Sequence, residues 1–481
     1  MTKIIFEKTS EGRKGSAVPE KDINLAEISI DIDDEMKADK IPDLPELSEL
    51  DVIRHYTELA NKNICVNSHF YPLGSCTMKY NPCVNEEIAS MRSFTDIHPY
   101  QVESSVNGNL EIMYLLKKYL CELTGMDDFT LQPAAGAHGE FTAMLMTKKW
   151  FELRKENRNK ILIPDSAHGT NPASANMAGF EVVQIASNEN GTVNLDDLET
   201  KIDDKTACFM MTNPNTLGLF EKDILKISEK IHSKGGLLYY DGANLNAILG
   251  LVRPGDAGFD FVHLNMHKTF STPHGGGGPG AGPVGAKGKL AECLPLPKII
   301  QKEDRTFSLM YDNPSSIGRV KAFYGNFLVL VKALAYILSL GKDEIANVAK
   351  LSVLNANYLL KKLEDIYEIP YGKSCMHEFV ASADRQKNIG VTAIDICKRM
   401  LDYGFHAPTV YFPLIVHEAL MIEPTETESI QTLDLYSEIL HKIQEETEKN
   451  PDLLHKAPHN MPVKRLDDVT AARKPDLAYK K

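Results

Sequence analysis

The sequence predicts an α/β protein built around a mostly parallel sheet covered by helices, and three observations carry that expectation. From Asn107 onward, strand-length apolar runs alternate with helical patterns at short intervals, the order produced by strands joined through crossover helices. The run Phe259-Asp260-Phe261-Val262-His263-Leu264 reads as a buried strand. The loops richest in reactive and small side chains each follow one of the strands, the edge at which such sheets hold ligands.

The elements follow in chain order. Residues 110–123 form an amphipathic helix that stops at Gly125, and 128–132 form a short strand leading into a helix that runs to about Lys155. Strands are expected at 160–163, 181–186, 206–212 and 237–240, with helices at 174–178, 195–202 and 224–233. Before them, residues 1–106 read as an arm carrying a loop, with one helical pattern at 50–61 and an acidic stretch at 31–35. The proline-punctuated run Ile41-Pro42-Asp43-Leu44-Pro45 could not build a core alone. Residues 107–330 are expected as a large domain and 331–481 as a smaller α+β domain with a polar tail from Ala457. The second domain opens on an apolar helix at 327–340, followed by helical patterns at 398–403 and 430–445 and a strand-like stretch at 410–416.

Composition narrows the function classes. The 481 residues are 43% hydrophobic and 25% charged, as in ordinary soluble globular chains. A net charge of −13 supplies no attraction for nucleic acid or an anionic membrane surface. The 14-residue apolar run 327–340 contains Lys332 and is too short to span a bilayer. The first residues lack an apolar core of signal-peptide length, and the 8 cysteines form no C-x-x-C pair, so a reduced, cytoplasmic setting is expected.

The chemistry centres on Asn265-Met266-His267-Lys268-Thr269, which follows the buried strand and precedes a loop, Gly275 to Gly282, with six glycines. A lysine at a strand end beside such a loop is either a surface residue in a turn or a Schiff-base nucleophile. Asp241 ends a strand 27 residues earlier, and a carboxylate there is costly unless paired, for instance with a protonated ring nitrogen. Ala135-Gly136-Ala137 open a helix whose free N–H groups suit a phosphate, or simply form a tight turn. His168, in Ala167-His168-Gly169-Thr170-Asn171, either stacks on an aromatic ring and moves protons or fills a turn. Thr212 to Thr216 offer amide and hydroxyl groups, and the loop 69–82 is either structural or a substrate loop.

Other chemistries fit less well. No G-x-G-x-x-G fingerprint and no G-K-[ST] ending occur, which disfavours dinucleotide and nucleoside-triphosphate sites. His263 and His267 lie four apart in a strand pattern without the H-E-x-x-H glutamate, so no metal site is expected. Lys268, Asp241, Ala135–Ala137 and His168 together specify pyridoxal 5'-phosphate, which needs a lysine, a ring-nitrogen acid, a phosphate cradle and a ring-facing group.

These motifs also resemble a known family. Tyr71 to Pro82, Gln132 to Glu140, Ala167 to Ser174, Asp241-Gly242-Ala243-Asn244, His267 to Pro283, Ser316 to Val320, Tyr403 to Thr409 and Glu423-Pro424-Thr425-Glu426 are similar to the P-protein of the glycine cleavage system, glycine dehydrogenase (decarboxylating). Within that family the chain resembles the cofactor-carrying second subunit of the two-subunit form. The resemblance implies a fold-type I enzyme with a seven-stranded sheet and pyridoxal 5'-phosphate held as an aldimine to Lys268. It implies Asp241 at the ring nitrogen, His168 stacked on the ring, Ala243 on its other face, and further cofactor contacts from Asn213, Thr216 and His267. It implies decarboxylation of glycine and transfer of the aminomethyl group to the lipoyl arm of the H-protein. A first subunit would join it in a two-plus-two heterotetramer. Ser75, Cys76 and Thr77 are the expected substrate contacts, with Arg319 a further candidate by charge alone. Alternatives are another pyridoxal-phosphate-dependent amino-acid decarboxylase or aminotransferase, or a non-catalytic scaffolding subunit of the same fold.

Overall fold

The structure, a computed structural model, describes residues 3–15, 31–38, 40 and 43–478. Ile41 and Pro42 of the proline-punctuated run and residues 479–481 of the tail lie outside the described residues. The chain divides into two compact units, Met1–Ser68 with Pro458–Lys481, and His69–Ala457. The first unit contains the expected helix, at Glu49–Ala60, started by a reciprocal capping box between Ser48 and Asp51.

The second unit is organised by seven strands: β1 (Asp128–Thr130), β2 (Lys160–Pro164), β3 (Glu181–Ile185), β4 (Thr206–Thr212), β5 (Leu237–Gly242), β6 (Phe261–Leu264) and β7 (Val284–Ala286). Their order is β1-β7-β6-β5-β4-β2-β3, with β3, β2, β4, β5 and β6 parallel. β7 runs antiparallel between β1 and β6. Every residue of β4 and β5 is buried, as required of strands covered by helices on both faces. The helices Asn107–Thr124, Gly136–Leu153, Thr170–Met177, Leu195–Lys201 and Ile224–Ser233 follow the expected alternation. The first of them ends where Gly125 adopts φ 74°.

A long helical segment, Phe327–Leu363, breaks at Gly341, one residue beyond the apolar run that predicted it. A hairpin of β8 (Lys298–Gln301) and β9 (Phe307–Met310) precedes it in the chain, and an antiparallel sheet of β10 (Phe379–Ser382), β12 (Ala419–Ile422) and β11 (Thr409–Val410) follows it. The strand expected over 410–416 is only two residues long. Tyr411 takes φ 57°, and Pro413 lacks the N–H that a ladder needs.

Candidate cofactor and substrate site

Three parallel strands bring the acid of the site to the sheet's carboxyl edge. Asp241 of β5 lies in register with Thr212 of β4 and His263 of β6. It is 1% exposed, so its charge needs partners. Asn171 Nδ2 donates to Oδ2 at 2.9 Å, the Ala243 N–H donates to Oδ1 at 3.0 Å, and His263 Nε2 lies 3.6 Å from Oδ1. Burial acts to raise this carboxyl, but His263, His168, Asn171 and the Ala243 N–H outweigh it and leave its pKa below the usual value. Asn171 is held by Glu140, whose Oε2 accepts from the same Nδ2 at 3.0 Å. Each carboxylate oxygen of Asp241 keeps a lone pair for a further donor, which suits a protonated ring nitrogen.

Lys268 stands four residues past β6, in a one-turn helix, Met266–Thr269, rather than at the strand end itself. It is 8% exposed and its Nζ donates to the Ser75 carbonyl at 2.6 Å. The glycine run behind it has two halves. Gly275 to Gly278 have φ between 59° and 131° and open space around them, so backbone conformation rather than packing demands glycine there. Gly282 is different: an added Cβ would stand 2.0 Å from the Ala135 carbonyl oxygen, so this end of the loop is pressed against the start of the helix Gly136–Leu153.

That helix start has the features of an anion cradle. Ala135 is its N-cap, and no side chain caps it, so first-turn N–H groups remain for a ligand. The Lys268 segment packs against it, with the Asn265 side chain where a Cβ on Gly136 would go and Met266 N–H donating to the Ala281 carbonyl at 3.1 Å. On this segment the buried atoms His267 Nδ1, Thr269 Oγ1, Thr272 Oγ1 and His274 Nδ1 have no partner. Burial, with the nearby Lys268 charge, pushes His267 down to about 3, so its ring is neutral. An uncapped helix start beside orphaned polar groups fits a phosphate.

Ser75 joins the lysine to His168. Its carbonyl accepts from Lys268, its Oγ lies 2.6 Å from His168 Nε2, and its N–H donates to Glu378 Oε2 at 2.6 Å. Burial, then the Lys268 charge, lowers His168 to about 4, so it is neutral near pH 7. Its ring is stacked with Phe412 at 5.2 Å. The loop beneath Ser75 lies along β12. Gly74 N–H donates to the Met421 carbonyl at 3.2 Å, and a Cβ on Gly74 would meet that oxygen at 2.6 Å. Thr77 N–H and Oγ1–H donate to Glu423 at 3.0 and 2.6 Å. Cys76 sits between these two clamped residues, and burial raises its thiol.

Lys268, Asp241, His168 and the 75–77 loop therefore converge. Asn213 and Thr216 do so less directly: Asn213 accepts from the Glu221 N–H at 2.9 Å, and Thr216 donates to the Ser166 carbonyl at 2.5 Å. Arg319 is exposed and donates to the Tyr100 hydroxyl at 3.2 Å. His377 and Glu378 were not anticipated, and Glu140 belonged to a recognised motif without an assigned role. Glu423 and Lys79 belonged to recognised motifs but carried no assigned role.

The fold and this site define a class, the fold-type I pyridoxal-phosphate architecture. A solved structure of a glycine decarboxylase (P-protein) of the glycine cleavage system, in inhibitor-bound form, superimposes with a TM-score of 0.72 at 20% identity, covering 87% of this chain and 94% of that one. A NifS-like protein gives 0.60 at 16% identity, covering 78% and 98%. The family model described as glycine cleavage system P-protein matches residues 21–398, and that of the glycine dehydrogenase C-terminal domain matches 348–463. Relatives named probable glycine dehydrogenase (decarboxylating) subunit 2 from Kosmotoga olearia and Thermotoga maritima are each 58% identical over 477 and 478 residues, about 99% of each chain. One of the same name from Caldanaerobacter subterraneus subsp. tengcongensis is 56% identical over 479 residues. The chain belongs to the glycine cleavage system P-protein family. Among the described residues no helix is long and apolar enough to cross a membrane.

Proposed function

We propose that this chain decarboxylates glycine with pyridoxal 5'-phosphate bound at Lys268 and passes the aminomethyl group to the lipoyl disulfide of a lipoylated carrier, the H-protein. It would act in the cytoplasm, paired with the first subunit that the relatives' name "subunit 2" implies, in a two-plus-two assembly. The observation that carries the reading is the convergence of a buried lysine, a buried ionised carboxylate and an uncapped helix start at one sheet edge. When bound, the cofactor accepts the electron pair that carbon dioxide leaves behind. In this reading Asp241 keeps the ring nitrogen protonated, and the N–H groups at Gly136 and Ala137, with His267, hold the phosphate. His168 faces the ring as a neutral imidazole, Ala243 packs on the other face, and Asn213 and Thr216 shape the loop behind it. Ser75, Cys76 and Thr77 line the glycine side. The same reading makes 107–330 the cofactor-binding lobe and assigns no metal.

The test is borohydride reduction of the cofactor-loaded protein followed by peptide mapping. Label on the Lys268 peptide, lost in Lys268→Ala, is expected. Label elsewhere, or none, would remove the lysine from its role and favour a scaffolding subunit.

A further inference from the structure

Glu378 immediately precedes β10 and Glu423 immediately follows β12, and the antiparallel pair Phe379↔Ile422 sets the two side chains at one end of the ladder. Both are fully buried. Glu378 accepts from the Ser75 N–H at 2.6 Å and from Asn244 Nδ2 at 3.3 Å, while Glu423 accepts both Thr77 donors. His377 Nε2 lies 3.8 Å from Glu378 Oε1 and 3.9 Å from Glu423 Oε1, and neither nitrogen of this fully buried ring has a partner. The loop they grip is strained: Ser75 and Thr77 take φ 61° and 48°, an unfavourable region for a β-branched residue. Two adjacent carboxyls in a dry interior do not both ionise.

We propose that Glu378 stays protonated beside Glu423, and that Glu423, clamped to residues 75–77 beside Lys268, holds the proton consumed when the carrier's disulfide opens. The proposal rests on the function given above. In that reaction the bond between the glycine α-carbon and its carboxylate breaks and carbon dioxide leaves. The electron pair forms a carbon–sulfur bond to one sulfur, and the pair of the broken sulfur–sulfur bond passes to the other. The second sulfur takes up one proton and becomes a thiol, so the disulfide is reduced as the glycine carbon is oxidised. Glycine as its zwitterion, the disulfide and one proton thus give carbon dioxide, an aminomethyl-ammonium thioether and a thiol. Neither product releases a proton to balance this uptake, so a site shielded from water needs a donor of its own.

The surroundings favour a stored proton. Burial, then the charge of Glu423, holds Glu378 well above the usual range, and burial raises Glu423 to about 7 against the opposing Thr77 hydrogen bonds. The charged and titratable neighbours are Lys268, which acts to lower both, Cys76 on the gripped loop, Glu426 beyond Glu423, and His377. His377 is pushed down to about 3 by burial and is therefore no competing cation. The three groups also present ligand-capable atoms within 4.8 Å of one another, but a cation there would need both carboxyls ionised.

Glu378→Gln and Glu423→Gln keep an oxygen acceptor for the loop N–H groups and remove the titrating group. Infrared difference spectra of the full-length wild type minus each variant, at neutral pH, should contain the carbonyl stretch of a protonated carboxyl. No such band in either difference overturns the stored proton. With cofactor, first subunit and lipoylated carrier present, wild-type transfer should fall as pH rises through about 7. The variants should be slower on the order of 10²-fold and lack that limb, with unchanged cofactor absorbance and glycine affinity. Variants within twofold of wild type that keep the limb overturn the donor role. Stoichiometric divalent metal, lost when His377→Phe is made, overturns it as well. If a variant does not fold, the wild-type band decides: partial loss with a midpoint near 7 supports the pair, and invariance between pH 5 and 9 overturns it. The band is independent of turnover, so absent glycine decarboxylation in the wild type would instead refute the parent reading.

Discussion

Lys79→Met should cost this protein about 3–5 kcal/mol, because it leaves a buried carboxylate without its cation. Lys79 Nζ donates to Glu426 Oε1 at 2.7 Å, Asn246 Oδ1 at 2.8 Å, the Thr269 carbonyl at 2.8 Å and the Tyr336 hydroxyl at 3.0 Å. The side chains of Lys79 and Glu426 are 1% and 8% exposed, so solvent screens the pair little. Burial acts to lower the Lys79 ammonium, but Glu426 and Tyr336 outweigh it and the group stays charged. Methionine keeps the volume of the stem while removing the charge and the three N–H donors that these four acceptors share. Glu426 would retain the Asn246 amide at 3.1 Å and the Tyr336 hydroxyl at 3.4 Å, too little to stabilise an ionised group in the interior. The assay is urea unfolding of wild type and variant, read as a shift in midpoint at common slope. Adding Glu426→Gln should recover at least half of the loss, since the orphaned charge is then gone. A single variant within about 1 kcal/mol of wild type would refute the reasoning, because the pair would then behave like an exposed salt bridge. The same change should also weaken cofactor retention, since Thr269 adjoins Lys268.

Two further predictions concern the carboxylates. Asp241→Asn removes a charge-assisted partner worth about 1.5–3 kcal/mol and should lower turnover on the order of 10²-fold with the cofactor still bound; a loss under threefold would contradict its assignment. Glu423→Gln should change how stability depends on pH. The folded pKa of Glu423, about 7, lies above its ordinary 4.5, so the fold binds this proton more tightly and stability is lost as pH rises from 4.5 through 7. Relative to wild type, the variant should therefore gain stability across that window, reaching roughly 3 kcal/mol above pH 7 and nothing below 4.5. A gain that is the same at both ends would show that folding leaves the Glu423 pKa unshifted, and a deficit growing with pH would show that it is depressed; either contradicts the assignment.

Much of the site was legible because its parts lie on short local patterns. Asp241 stands near the end of apolar β5, and His168 and Lys268 each stand four residues past an apolar strand, so the alternation of strands and helices carried all three to one edge. The carboxyl pair was not legible. Ser75 and Glu378 are 303 residues apart, and they meet only because β10 and β12 pair and the 72–77 loop lies along β12. Nothing around Glu378 signals chemistry in one dimension. β7 was missed for a different reason: three residues, Val284–Ala286, leave the glycine loop with no run long enough to register a period. Pro413 and Tyr411 likewise cut short the strand expected at 410–416, and the irregular chain there brings Phe412 onto His168.

The most direct test is release of carbon dioxide from carboxyl-labelled glycine by the cofactor-loaded protein with its first subunit, with lipoylated carrier present and then absent. Labelled carbon dioxide together with carrier-bound aminomethyl group, absent in Lys268→Ala, is the expected result. No release with carrier present, or conversion of glycine only when 2-oxoglutarate is supplied, would contradict it.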